Sequence, residues 1–121
     1  MHELGNLEYN GTIVGYPRYE EAFHYYKLAA DYSHPTSCWM IAHMILNKKI
    51  GSLTDDDLNL AWEYLYKAIN LNSISALNSI GLCYLNGHTK DKTKDIKKAI
   101  TFFEKAADKG YIYAFNNLGK I

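Results

Sequence analysis

The two cysteines and five histidines of this chain (Cys38, Cys83, His2, His24, His34, His43 and His88) carry its scope for nucleophilic, acid–base or metal chemistry near neutral pH. A thiol becomes an efficient nucleophile only beside a base. Cys38 and His43 stand five apart, which on one helix turns them to different faces; Cys83 and His88 straddle an Asn-Gly helix end. Metal sites need His, Cys or acidic residues at short, regular spacings, and the histidines show none. His24, beside Tyr25 and Tyr26, is expected to be hydrogen-bonded or turned to solvent. Gly11 and Gly15 flank a turn without the Gly-Lys-Ser/Thr that completes a phosphate loop. The expectation is a non-enzymatic chain with no catalytic residue, no metal and no cofactor. The cysteines form no short-spaced pair, which predicts free, buried thiols in a reducing compartment.

Charge narrows the partners. Thirteen basic and thirteen acidic residues give a net charge of zero, whereas nucleic-acid binders carry a basic excess on one face and membrane-surface helices a Lys/Arg stripe. No apolar run reaches the eighteen or so residues of a membrane span. Nucleic acid and membrane are therefore not expected partners. The opening Met-His-Glu-Leu-Gly is not a signal peptide, and with Met1 as the natural start the location is cytoplasmic. The lysines Lys90, Lys92, Lys94, Lys97 and Lys98 are interleaved with Asp91 and Asp95. They read as a solvated loop and helix start, or as a small docking patch for an acidic partner.

The elements that position these groups are set by an internal repeat. Leu4, Ile41, Ile80 and Leu118 share one column, and the small residues Gly5, Ala42, Gly81 and Gly119 follow them. Ala22, Ala61 and Ala99 form a second column, and Ala29, Ala68 and Ala106 a third. Self-similarity at a fixed period of this size marks stacked helical units. Helices are predicted over 2–10, 18–31, 37–48, 55–70, 75–86, 94–109 and 114–120. Thr54 before Asp55, Asp56 and Asp57 is a clear helix start. Gly110 ends a helix in the left-handed conformation; Asn72 occupies that place in unit two and tolerates it, whereas Ser33 in unit one fits less well. The small column should let the paired helix approach, with Ala22, Ala61 and Ala99 as the matching surface. Tyr25, Tyr64 and Phe102, then Tyr26, Leu65 and Phe103, fill the space around it. Length varies only between the helices of a pair, where loops absorb insertions.

The pattern Ala76-x-x-x-Ile80-Gly81-x-x-Tyr84-x-x-Gly87, followed by Lys98-Ala99-x-x-Phe102-Phe103-x-Lys105-Ala106-Ala107-x-x-Gly110, resembles the Sel-one-like repeat, a relative of the tetratricopeptide repeat. Unit one keeps Leu4-Gly5, Gly11, Glu21-Ala22 and Tyr25-Tyr26; unit two departs with Ala42, Ile45 and Lys48. The resemblance implies an all-α, right-handed superhelical solenoid of antiparallel helix pairs that serves as an adaptor for peptides or proteins. The chain then reads as a single domain over 1–121, with repeats of about 1–36, 37–75 and 76–113 and a partial fourth at 114–121, drawn from a longer array. An unpaired apolar end allows a monomer or weak end-to-end association.

In such solenoids the first helix of each pair lines the concave face. Its outward positions here are His2, Asn6, Tyr9 and Asn10, then Trp39, His43, Leu46 and Asn47, then Asn78, Leu82, Leu85 and Asn86, with Asn116 and Lys120 in the last segment. This set is nearly free of charge. An Asn amide offers a donor and an acceptor to an extended peptide backbone, and Trp39 beside His43 would make a flat anchor. The expected site is a groove for a neutral or apolar peptide of a protein partner. The plainer reading has Asn10 and Asn86 simply ending helices before glycine and Trp39 packing in the core. Alternatives of other classes are a regulatory domain of a larger signalling or transcription-regulator chain, a self-stacking structural array, and a hydrolase, for which no convergent polar pocket can be assembled.

Overall fold

The computed structural model describes residues 2, 3, 5, 6 and 18–121, and all their regular structure is helical. Six helices follow in order: α1 (Tyr19–Asp31), α2 (Pro35–Leu46), α3 (Asp55–Asn70), α4 (Ile74–Asn86), α5 (Ile96–Asp108) and α6 (Ile112–Lys120). His2, Glu3, Gly5 and Asn6 are helical too. Four of these six starts carry a side-chain cap. At Thr54 a full capping box forms: Thr54 Oγ1 accepts from the Asp57 N–H at 3.2 Å, and Asp57 Oδ2 from the Thr54 N–H at 3.1 Å. Asp95 caps α5 through the Lys98 N–H, so α5 begins at Ile96 and not at the predicted 94. Helix α2 starts two residues earlier than predicted because His34 caps it: His34 Nδ1 accepts from the Ser37 N–H at 3.1 Å. Pro35 then occupies the first turn, where its missing N–H is not needed.

The joints between units repeat one geometry. After α1 the Ser33 N–H donates to the Ala30 carbonyl and the His34 N–H to that of Ala29. After α3, Asn72 and Ser73 bond Ile69 and Ala68 in the same way; after α5, Gly110 and Tyr111 bond Ala107 and Ala106. Each is a Schellman turn, which satisfies carbonyls the helix end leaves open. It demands a left-handed residue, and φ is 60° at Ser33, 66° at Asn72 and 87° at Gly110. Ser33 therefore adopts the conformation that its residue type disfavours, held there by the two bonds around it.

Each helix pair closes through a small residue, and the surface it meets differs from expectation. A Cβ placed on Gly81 would lie 2.6 Å from the Phe103 ring, and one on Gly5 2.9 Å from the Tyr26 ring. The glycines thus make room for aromatic rings. Ala22, Ala61 and Ala99, the matching surface expected from the columns, are fully buried, yet the nearest atoms across from the glycines belong to the rings. Tyr26, Leu65 and Phe103 are all buried to within 1% of their surface, in the columns where volume was expected.

Helices α2 and α3 pack as one pair and α4 and α5 as another, with α1 against α2 and α6 against α5. The first helices also touch one another, α2 against α4, and form a layer of their own. One apolar cluster runs from Ala22 to Cys83 through units one to three, and a smaller one joins Ala106 and Ala107 to Ala114. Cys38 and Cys83 lie inside the first as free thiols, as expected. Burial pushes the Cys83 thiol up to about 12, so it is neither an ionised nucleophile nor a ready metal ligand.

Candidate interaction groove

Consecutive first helices are tied by side chains one repeat apart. Trp39 on α2 donates from its ring nitrogen to Ser79 Oγ on α4 at 2.7 Å. Asn117 on α6 donates to Asn78 Oδ1 on α4 at 2.9 Å. His2 reaches Ser37 Oγ on α2 at 3.0 Å. The repeat makes these ties possible, because stacking similar units sets the flank of each first helix against that of the next.

The first two of these ties border a groove of about 380 Å³, lined by Trp39 and His43 of α2, Asn78 and Leu82 of α4, and Tyr111, Tyr113, Asn116 and Lys120 around α6. A smaller hollow of about 80 Å³ continues it, between His43, Leu46 and Asn47 on one side and Leu82, Asn86 and His88 on the other. The sequence-derived positions Trp39, His43, Asn47, Asn78, Leu82, Asn86 and Asn116 therefore fall along one continuous surface. Asn6 lies outside it, its amide shared between His2 and Tyr26. Tyr9 and Asn10 lie outside the described residues.

Within the groove the residues differ in how free they are. Trp39 is not a free anchor: half-buried, it packs against the main apolar cluster, stacks on His43 at 4.9 Å between centroids, and has its N–H taken by Ser79. Asn78 was expected to point outward; it is buried, 6% exposed, and its carbonyl oxygen is engaged by Asn117. Asn47 is exposed, but its amide donates to the His43 carbonyl at 2.9 Å. Asn86 and Asn116 are exposed; Asn86 stands before Gly87, which ends α4 at φ 76°. Burial, and then the charge of Lys49, lowers the His43 pKa, so the ring is neutral near pH 7. Among the described residues, Lys120 is then the one charged side chain lining the groove.

Sequence reasoning missed Ser79, Tyr111, Tyr113 and Asn117 as lining residues. Two tyrosines just past Gly110, in the sequence Tyr111-Ile112-Tyr113, are the signal that could have found half of them. It also missed a histidine network at the first joint. The Ser37 hydroxyl lies 2.8 Å from His34 Nδ1 and 3.0 Å from His2 Nδ1. His34 Nδ1 already accepts the Ser37 N–H, so it carries a lone pair. The hydroxyl proton then points to His34, His2 donates from Nδ1, and His2 Nε2 accepts from Asn6 at 3.1 Å. Ser37 is completely buried. This Ser–His contact is a helix cap and a tie between units.

A larger hollow of about 480 Å³ lies at the joint between units two and three, over Ile69, Ile74 and Leu77. The stems of Lys105 and Lys109 border it, in the way long cationic side chains cover apolar surface while their heads stay in water. Among the described residues no cluster of His, Cys, Asp and Glu could hold a metal ion. No helix among them is long and apolar enough to cross a membrane.

The model of the Sel1 repeat matches this chain three times, over residues 1–31, 36–73 and 74–111. No curated protein matches it. Among solved structures it is similar to a protective antigen of uropathogenic Escherichia coli that displays an SLR fold, with a TM-score of 0.77 and 25% identity. That likeness covers 98% of this chain and 24% of the antigen, so this chain spans about a quarter of its length. The all-helical solenoid agrees with both comparisons, and the three matches together cover most of the sequence: the chain belongs to the Sel1 repeat family.

Proposed function

We propose that residues 1–121 act as one non-enzymatic docking domain, and that the groove along the first helices takes a neutral or apolar segment of a partner protein. Sel1 repeats are in general protein–protein interaction modules. The observation that carries the reading is the convergence of Trp39, Leu82, Tyr113 and Asn116, from α2, α4 and α6, on one hollow with a single charged lining residue among those described. Side chains held by cross-ties lose little entropy on docking, and preorganisation of this kind raises affinity. The Trp39 ring face and Leu82 supply apolar area, and the exposed Asn116 amide supplies a donor and an acceptor for a peptide backbone.

The test is crosslinking capture from lysate with a photoreactive amino acid in place of Asn116, run beside the same chain carrying Trp39→Phe and Leu82→Asp. Trp39→Phe keeps the apolar ring, and position 82 is only half-buried, so both variants should fold. A partner crosslinked by the first chain and lost from the second supports the groove. Equal capture by both would move the docking surface elsewhere.

A further inference from the structure

A second surface, on the side of the second helices, has a different chemistry. Four aromatic rings from three helices follow one another in a row: Tyr66 and Trp62 on α3, Tyr84 on α4 and Phe102 on α5. Neighbouring centroids are 5.5, 5.7 and 5.8 Å apart, within the range of favourable ring pairs. Lys98 Nζ sits 5.3 Å from the centre of the Tyr84 ring. Trp62, Tyr66 and Tyr84 line a hollow of about 340 Å³, with Lys90 and Lys98 at its border.

The loop that supplies Lys90 is firmly built. Trp62 donates its ring N–H to the His88 carbonyl at 2.8 Å, and the Asp95 N–H bonds the Tyr84 carbonyl at 2.9 Å. Thr89 is buried, its hydroxyl within 3.0 Å of Asp91 and 3.1 Å of the Thr93 carbonyl. Lys92 pairs with Asp55 at 2.5 Å. The nearby carboxylates are thereby engaged: Asp55 by Lys92, Asp91 by Thr89, Asp95 by its helix cap. Lys90 and Lys98 have no acidic partner among the described residues. Two cations without an ion-pair partner thus border the aromatic floor beside one lining carboxylate, Asp91, which accepts from the Thr89 hydroxyl and keeps its charge, so the lining is net positive by one.

We infer that this aromatic–lysine hollow is a second docking site, for an acidic peptide segment of a protein partner that carries one aromatic or aliphatic anchor. The anchor covers the exposed Tyr66 and the Trp62 ring, while flanking carboxylates meet Lys90 and Lys98. Cations without acidic partners together with an apolar floor call for an occupant that is both acidic and apolar, which neither a neutral peptide nor a bare anion satisfies. The site does not rest on the groove of the first helices, since the two share no lining residue.

Fluorescence anisotropy with a labelled peptide of alternating Asp and Glu around one central Phe tests the inference on the whole chain. Counterpart probes replace Phe by Ala, or every acid by Lys. Binding should saturate for the acidic Phe peptide, weaken with added salt, and be lost for the all-Lys peptide. The double change Lys90→Glu and Lys98→Glu should weaken it roughly tenfold, the size that two exposed charge pairs supply, and Tyr66→Ala should weaken it as well. All three positions are exposed, so circular dichroism should be unchanged; Trp62 is kept because it anchors the loop. Absence of saturable binding, equal binding of the Ala or Lys counterpart, or sensitivity to Leu82→Asp and not to the lysine changes would overturn the inference. Tighter binding of an oligothymidylate than of the peptide would overturn it too, by giving the rings to stacked bases.

Discussion

Gly81 and Gly119 occupy the same column of the repeat, and alanine should act on them with opposite sign. A Cβ on Gly81 would lie 2.6, 2.7 and 3.1 Å from three carbons of Phe103, a ring with no exposed surface in which to turn aside. Carbon atoms pack best at about 3.5–4.0 Å, so the methyl and the ring must separate by close to an ångström. Overpacking of a well-filled core costs roughly 1–3 kcal/mol, and the better helix propensity of Ala returns about 1 kcal/mol, which leaves a net loss of up to about 2 kcal/mol at this crowded site. A Cβ on Gly119 would meet nothing within 4 Å, so Gly119→Ala keeps only the propensity gain, a few tenths to about 1 kcal/mol in a last turn. Thermal melts followed by far-ultraviolet circular dichroism read both, at about 3–5 °C for each kcal/mol in a chain of this size. Combining Phe103→Leu with Gly81→Ala is the decisive arm, since unit two already pairs Ala42 with Leu65 in these columns. The two changes should couple favourably by about 1 kcal/mol. Stabilisation by Gly81→Ala, or strict additivity with Phe103→Leu, would refute the close approach of glycine and ring.

Three further outcomes follow from the same structure. The pKa values of His2, His43 and His88 are lowered, in each case chiefly by burial. The unfolded chain therefore binds more protons than the folded one just below the ordinary histidine value, and stability is lost as pH falls through about 6.5; urea midpoints should drop from pH 7.5 to pH 5.5, and a flat profile would contradict it. Cys83, buried and pushed up to about 12, should react with a thiol reagent at pH 8 only at the rate at which the fold opens, and fast labelling of the native protein would contradict its burial. Ser33→Gly should raise the urea midpoint, because it removes a left-handed strain of about 1 kcal/mol, while Gly110→Ala should lower it by a similar amount.

The architecture was legible because close packing forces small and large residues into fixed columns, and those columns survive in the sequence as a period. What the period does not encode is which atom meets which. It announced that Gly81 was small for a reason, but the partner across the gap was the Phe103 ring and not the small Ala99. The site was legible to the same depth. Counting along one helix face found Trp39, His43, Leu82 and Asn116, because turn geometry alone sets that face. The burial of Asn78 was invisible, since it depends on Asn117 of the next unit. The His34 cap was missed for a similar reason: histidine seldom caps a helix, and its role rests on Ser37, three residues on, turning its N–H back.

The joints at Ser33, Asn72 and Gly110 have a consequence for how such a chain can change over evolutionary time. Each is held by two bonds between main-chain atoms, so the bonds themselves require no particular side chain. A gene duplicated or cut at these seams, between residues 33 and 34, 72 and 73, or 110 and 111, would rejoin with the turn intact. A whole unit could then enter or leave in one recombination event, lengthening or shortening the array by one row of first-helix side chains and leaving the remaining rows in place. The seams are where the protein's modularity is written into its backbone, and specificity can then diverge row by row.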